Sequence, residues 1–265
     1  MALAATYDVT LSRIRLALTA AAVGSVTATF DRSLDGVNWT TVRGGSGVSV
    51  SGSAANVDDY EFPAGQAVTY RVRTYTGAGA AVGTAQTTVV TQDLAAVWVK
   101  VPAVPYLNTP VVVADRGDIT RRSRGGVFDV VGRSLPVMVG DVTSGISYTL
   151  QLLTETAAEE SDLDYTLSTG DVIFLHLPSS VEHFPGGYYA VGEVRRRPTM
   201  RLSARRLWDV PLTQVAAPGP AVIGSAYTCA SVLAQYATVT SVITDNLTIV
   251  DLLERTGSPS DVLVP

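Results

Sequence analysis

The chain has 265 residues, 46% of them hydrophobic and 16% charged, with a formal net charge of -5. That length suggests one large or two ordinary domains, and the acidic balance argues against generic nucleic-acid binding through a basic surface. The lone cysteine, Cys229, excludes an internal disulfide framework and a cysteine-rich metal site, and no apolar run approaches the ~20 residues that a membrane-spanning helix needs.

Val and Thr recur in alternating runs among 23 Gly and 13 Pro, and this composition points to strands and turns. From the N-terminus, TYDVTLSRIRLAL alternates apolar and polar residues, with Val9, Leu11 and the span from Ile14 to Leu18 on a buried face. Arg13 and Arg15 followed by LALTAAAV and TATF have the order of a signal peptide. Their charges are set back from the terminus, however, and the same residues read as strands. SVTATFDRSLDGVNWTTVRGG reads as a hairpin in which Val26, Ala28 and Phe30 alternate, Asp35-Gly36 turns the chain and Trp39 begins the return. Further on, Val68, Tyr70 and Val72 fall on one face of a strand, and Thr69, Arg71 and Arg73 on the other. TGAGAAVG reads as a flexible loop before a strand from Gln86 to Thr91. Short strands with turn signals at this spacing make a sandwich of roughly 100 residues. Over residues 7–92 the pattern resembles a fibronectin type III-like domain, with VTYRVRTYTGAGA as its last hairpin. We assign residues 1–92 to it.

VWVKVPAVPYLNTP then carries Pro102, Pro105 and Pro110, and proline cannot donate to a ladder. Residues 93–111 are therefore expected to be a semi-extended connector. A second β-domain is expected over 112–217. GGVFDVVGRSLPVMVGDV supplies two apolar strands around a Gly-Arg-Ser turn. ISYTLQLLTET alternates at Ile146, Tyr148, Leu150 and Leu152. Thr156 and Glu159 have capping-box spacing for a short helix carrying Leu163 and Leu167, and Gly170 is its stop. DVIFLHLP is a buried strand, and GGYYAVGEVRRRP with TMRLSARRLWDVPLTQV forms a last long hairpin. Pro218 to Pro220 break the chain before a C-terminal arm, residues 218–265.

The order of these features is similar to that of minor tail proteins, of the distal-tail type, from siphophages infecting actinobacteria. The shared features are a strand pair with Gly-Arg and Pro-Val, Leu-x-x-Glu-Thr entering a short helix, an apolar strand ending in Pro, and an Arg-rich hairpin closing on Trp-x-x-Pro-Leu-Thr. With the C-terminal repeats they cover residues 113–256. The repeats carry fewer aromatics than the commoner form. The resemblance implies an all-β virion structural protein that forms a ring at the distal end of the tail. A hexamer is favoured and a trimer is the alternative. The tail tube protein would lie on one side and hub or fibre proteins on the other. It implies no catalytic residue and no cofactor, and synthesis in the bacterial cytoplasm. The alternative function is a carbohydrate- or receptor-binding module of the tail tip, with Phe184, Tyr188 and Tyr189 of FPGGYYAVG as its glycan contacts.

The chemical readings of individual residues are plain. The two histidines, His176 and His183, have no ligand spacing around them, and His176 reads as a satisfied strand residue. Glu159, Glu160, Asp162 and Asp164 read as a solvated helix face, since the glycine of a calcium loop is missing. Arg116-Gly117-Asp118 is a chance tripeptide. Six arginines lie between Arg195 and Arg206. Met200, Leu202 and Ala204 alternate with Arg201, Ser203 and Arg205, so one face is expected in the core and the other as a row of guanidinium groups at a subunit interface. Arg195, Arg197, Arg201 and Arg205 are the candidates. DNA contact is disfavoured, because only Trp208 offers an aromatic nearby.

Three ten-residue units run from Tyr227 to Thr256, aligning Thr228, Thr238 and Thr248 and the aliphatic pairs Val232-Leu233, Val242-Ile243 and Leu252-Leu253. On one helix each unit would drift by roughly 80° from the last, so the pairs would never form a single stripe. Each Thr instead suits the N-cap of a separate short turn. Such turns are marginal alone, and the arm is expected to lie on a neighbouring subunit or tail protein through those six aliphatic residues.

Overall fold

The computed structural model describes residues 1–87, 89–181, 184–200 and 203–219. The ten-residue units, with Val232, Leu233, Val242, Ile243, Leu252 and Leu253, lie outside them, as do His183 and Arg201. The described chain is predominantly β and carries one α-helix.

The first lobe has two sheets over one core. β1 (Ala2–Asp8), β2 (Arg13–Thr19) and β6 (Ala55–Asp59) form an antiparallel three-stranded sheet in the order β1-β2-β6. Opposite it, β3 (Thr27–Ser33) and β7 (Ala67–Tyr75) pair in the centre of a second sheet. β4 (Thr40–Thr41) and β5 (Val48–Ser49) flank β3, and β8 (Ala81–Gln86) and β9 (Val90–Thr91) flank β7. Strand alternation sends Ile14, Leu16 and Leu18 from one sheet and Phe30, Tyr70 and Val72 from the other into a shared core. Full burial of side chains of this size stabilises by roughly 1.5–3 kcal/mol each. The opposite face of β7 carries Arg71 and Arg73 as expected, and both guanidinium groups converge on the buried Asp31 carboxylate.

Two details differ from the sequence reading. TYDVTLSRIRLAL is a hairpin, and Val9 is exposed in its turn. The Asp8 carboxylate accepts from the Thr10 amide, and Ser12 adopts a left-handed φ of 48°, which together reverse the chain. TGAGAAVG is a tight turn, closed by the Thr76 amide on the Ala80 carbonyl, and β8 begins at Ala81.

The second lobe is a barrel. β10 (Val97–Lys100) pairs with β11 (Thr109–Arg116) and β16 (Ile173–His176). β11 pairs with β15 (Ile146–Thr154), β16 with β17 (Gly187–Val191), and β17 with β19 (Arg206–Gln214). β19 returns to β15 over eight residue pairs, from Ser147↔Thr213 to Thr154↔Arg206, which closes the circuit. β12 (Thr120–Arg121) extends beside the start of β15, and β18 (Arg195–Pro198) pairs with the start of β19. Closure removes the unpaired edges of the six circuit strands. The predicted alternation of Ile146, Tyr148, Leu150 and Leu152 points these side chains into the barrel core, beside Trp208. The helix α1 (Ala157–Ser168) keeps the Thr156 half of the predicted capping box, while the Glu159 carboxylate takes the amide one residue before the N-cap. Thr156 Oγ1 accepts from the Glu159 amide, the Glu159 carboxylate reaches back to the Glu155 amide, Leu163 is buried, and Gly170 follows at φ +72°.

The proline-rich stretch is therefore more than a connector, because it contains the barrel strand β10. Of its three prolines only Pro110 falls within a strand. Pro102 lies in a turn and Pro105 opens a 3-10 helix, Pro105–Leu107. Alternation along β10 places Trp98 in the core of the first lobe and Val99 in that of the barrel.

Polar contacts lock the two lobes together. Lys100, 1% exposed, donates from Nζ to the Ser12 carbonyl at 2.5 Å and the Tyr60 carbonyl at 2.8 Å. Burial pushes its ammonium down to about 7, while Asp59 and Glu61 pull the other way. Phe62 of the first core meets the barrel's His176 edge-on at 4.8 Å. The Asp93 carboxylate takes both the amide (2.9 Å) and the hydroxyl (2.6 Å) of Ser179. Arg43 pairs with Glu61 at 2.7 Å and donates to the carbonyls of Pro218 and Gly219.

Candidate assembly surfaces

Between β12 and β15 the chain leaves the barrel as a hairpin, β13 (Gly126–Phe128) paired with β14 (Val137–Val139) in register from Gly126↔Val139 to Phe128↔Val137. Its tip turns at Val130–Arg133, where the Arg133 amide donates to the Val130 carbonyl and Gly132 takes φ +86°. Neighbouring residues on a strand point to opposite faces. Here Val127 and Phe128 are both exposed, and so are Met138 and Val139. Val131 at the tip is fully exposed and Leu135 is 77% exposed. Neither face of the hairpin therefore covers a core among the described residues. A lone two-stranded hairpin is marginally stable in water, and a large apolar patch marks a place where another surface docks. Four arginines lie between residues 119 and 140, namely Arg121, Arg122, Arg124 and Arg133, against the single carboxylate Asp129.

The described members of the predicted guanidinium row pair with carboxylates of the same chain. Arg205 pairs with Glu155 at 3.0 Å, Arg197 reaches Asp209 at 4.0 Å, and Arg195 reaches Glu193 at 3.7 Å. Arg196 pairs with Glu160 at 3.0 Å and stacks over Trp208, and Arg206 reaches the same carboxylate at 3.5 Å. Each of Arg195, Arg197 and Arg205 keeps more than half of its side chain exposed, so these pairs hold little free energy individually. Among the described residues the expected alternation with a core face does not occur: Met200 and Ala204 are both exposed. β18 ends at Pro198, Met200 is 75% exposed, and the Ser203 amide donates to the Met200 carbonyl as the chain reverses toward β19. The acidic helix face is correspondingly less solvated than expected, because Glu160 is taken up by Arg196 and Arg206.

The three candidate glycan contacts do not share one face. Tyr189 is fully buried, and its hydroxyl donates to the Pro185 carbonyl. Phe184 packs on the barrel core, edge-on to Tyr148. Tyr188 leans on Phe174, with its hydroxyl beside Arg43 at the lobe junction. No exposed aromatic platform results from them.

His176 lies on a buried strand as expected but is not satisfied. Neither ring nitrogen has a hydrogen-bond partner of good geometry among the described residues. Burial pushes the imidazole down to about 2, the Lys100 and Arg32 cations add to that, and the Phe62 backbone and Asp93 pull more weakly upward. No group of three or more metal-ligating side chains occurs among the described residues. No helix among them is long and apolar enough to cross a membrane.

Sequence reasoning identified the hairpin's two strands but did not see that both faces stay uncovered. The signal was the unbroken apolar runs Val127-Phe128 and Val137-Met138-Val139, where a half-buried strand would alternate. The chain matches no protein-family model and no curated protein.

Proposed function

We propose that the chain is a virion structural protein, a minor or distal tail protein that closes into a ring at the tip of a phage tail. It would join the tail tube to the hub and receptor-binding parts, at the distal end of the virion. The exposed apolar hairpin Gly126–Val139 carries this reading, because a hairpin only marginally stable in water alone is accounted for by a neighbouring subunit that covers it. Two further observations support it. Three motifs of the resemblance fall in the barrel lobe: Leu152 to Thr156 carry β15 into α1, the chain runs from the end of β16 to Pro178, and Trp208 to Thr213 lie within β19. The Gly-Arg and Pro-Val strand pair is the β13–β14 hairpin itself. In the first lobe, β1-β2-β6 opposite β4-β3-β7-β8 supports the fibronectin type III-like reading. The chain then acts by geometry rather than by chemistry. Cyclic assembly needs one patch to meet a different patch on the next copy, with six copies expected over three.

Sedimentation velocity and negative-stain class averages of the purified chain test this. A closed ring with a central hole is the expected result. A monomer at every concentration would overturn the proposal.

A further inference from the structure

A second surface of the chain complements the hairpin, and it lies at the other end of the same strand. The hairpin enters β15 at Ile146, and α1 leaves just beyond Thr154. Nine residues of strand separate them by roughly 30 Å. α1 carries Glu159, Glu160, Asp162 and Asp164 and no basic residue. Asp162 and Asp164 make no ion pair among the described residues, and neither do Arg133 of the hairpin and Arg121 and Arg122 of the segment leading into it.

The acidic face is more than a run of carboxylates. Between α1 and the 3-10 helix lies a cleft of about 190 Å³, lined by Tyr106, Leu107, Asn108, Asp162, Tyr165 and Thr166. Asn108 is 8% exposed, and its side-chain oxygen is committed to the Val101 amide at 3.1 Å. Its Nδ2 is buried without an acceptor among the described residues. A buried donor left unpaired is costly, so it marks a place where an acceptor is missing. Tyr106 and Tyr165 both line the cleft, and Tyr165 remains 54% exposed. Two phenol rings beside a carboxylate suit a guanidinium group, and a strand-turn backbone brings carbonyl oxygens with it.

Resting on the ring reading above, we infer that the hairpin tip of one copy docks on the α1 cleft of the next. Arg133 enters between Tyr106 and Tyr165 toward Asp162. Asn108 Nδ2 is closed off from solvent in the free chain, and it gains a carbonyl of the Val130–Arg133 turn as the cleft opens to admit the tip. The apolar faces of β13 and β14 are covered by the neighbour's barrel wall. The two patches differ and lie at opposite ends of β15, so the contact is head-to-tail, the kind that closes a ring or propagates a filament.

The test uses the full-length chain. A photo-crosslinking amino acid in place of the fully exposed Val131 should, in mixed heavy- and light-isotope protein, link to the segment Tyr106–Asn108 or to α1 of a different copy. Arg133→Glu should weaken assembly at least tenfold in sedimentation, and adding Asp162→Arg to the same chain should restore it. Both positions are on the surface, and unchanged circular dichroism would confirm folding. Crosslinks elsewhere within an intact ring, or an Arg133→Glu chain that assembles like the parent, overturn this contact and leave the ring reading standing. A parent chain that never assembles overturns both.

Discussion

His176 should set the acid limit of this fold. The imidazole is 4% exposed, is wedged between Phe62 at 4.8 Å and Phe174 at 5.2 Å, and has no good partner for either nitrogen among the described residues. Its value in the folded chain is pushed down to about 2, against 6.5 for the free side chain. As pH falls, the unfolded chain therefore takes up this proton first. The stability present above pH 6.5 is lost progressively down to about pH 2. Each pH unit in that window removes ~1.4 kcal/mol, so about 2.7 kcal/mol is gone at pH 4.5. That is a large share of the 5–15 kcal/mol typical of a folded protein, and on the order of 5–10 °C in Tm for a chain of this size. The carboxylates held low, Asp8, Asp35 and Asp93, act further down, below their ordinary 3.8. His176→Phe keeps an aromatic ring in the slot and removes the titration. Urea unfolding of both chains at pH 7.5, 6.0, 5.0 and 4.5 should give, from pH 6.0 down, a steep loss for the parent and a much shallower one for the variant, while the loss from Lys100 between pH 7.5 and 6.0 is common to both. The variant should be at least as stable as the parent at pH 7.5, since two unpaired nitrogens are gone. Equal slopes in the two chains would refute the argument.

Three other substitutions test the packing. Asp59→Ala strips the buried carboxylate that accepts from Arg32, Tyr70 and the Glu61 amide; leaving Arg32 unpaired should cost ~3–5 kcal/mol in urea unfolding. Gly65→Ala forces a side chain onto φ +70° and places its Cβ 2.4 Å from that of Ser179. It should lose at least ~1–2 kcal/mol through the backbone alone, and limited proteolysis should then cut first near the lobe junction. Thr156→Ala removes the N-cap of α1 and should cost about 1 kcal/mol, read as a small fall in Tm with the barrel intact.

Local rules made much of the fold legible. The period-two burial of β15, the Asp35-Gly36 turn, the outward arginines of β7 and the Thr156 cap of α1 all follow from neighbours within a few residues. What stayed hidden depends on contacts distant in sequence. Nothing near Lys100 says that its ammonium would end on the Ser12 and Tyr60 carbonyls, 88 and 40 residues away. The connector reading of 93–111 fits Pro102 and Pro105, but Pro110 sits in β11, and the reading could not see that Val97 to Lys100 fill a gap between β11 and β16. The arginine row was legible as charge. Its carboxylate partners Glu155 and Glu160 were legible too, but only closure of the barrel brings the two sets together.

Trp98 and Val99, one peptide bond apart, belong to different cores. No cut in the chain therefore separates the lobes cleanly. A truncation before β10 takes Trp98 from the first lobe, and one after it takes Val99 from the barrel. Heat should then melt both lobes in one calorimetric peak. Neither half is a portable cassette, and a load applied to one reaches the other through β10 and the contacts that lock the lobes around it.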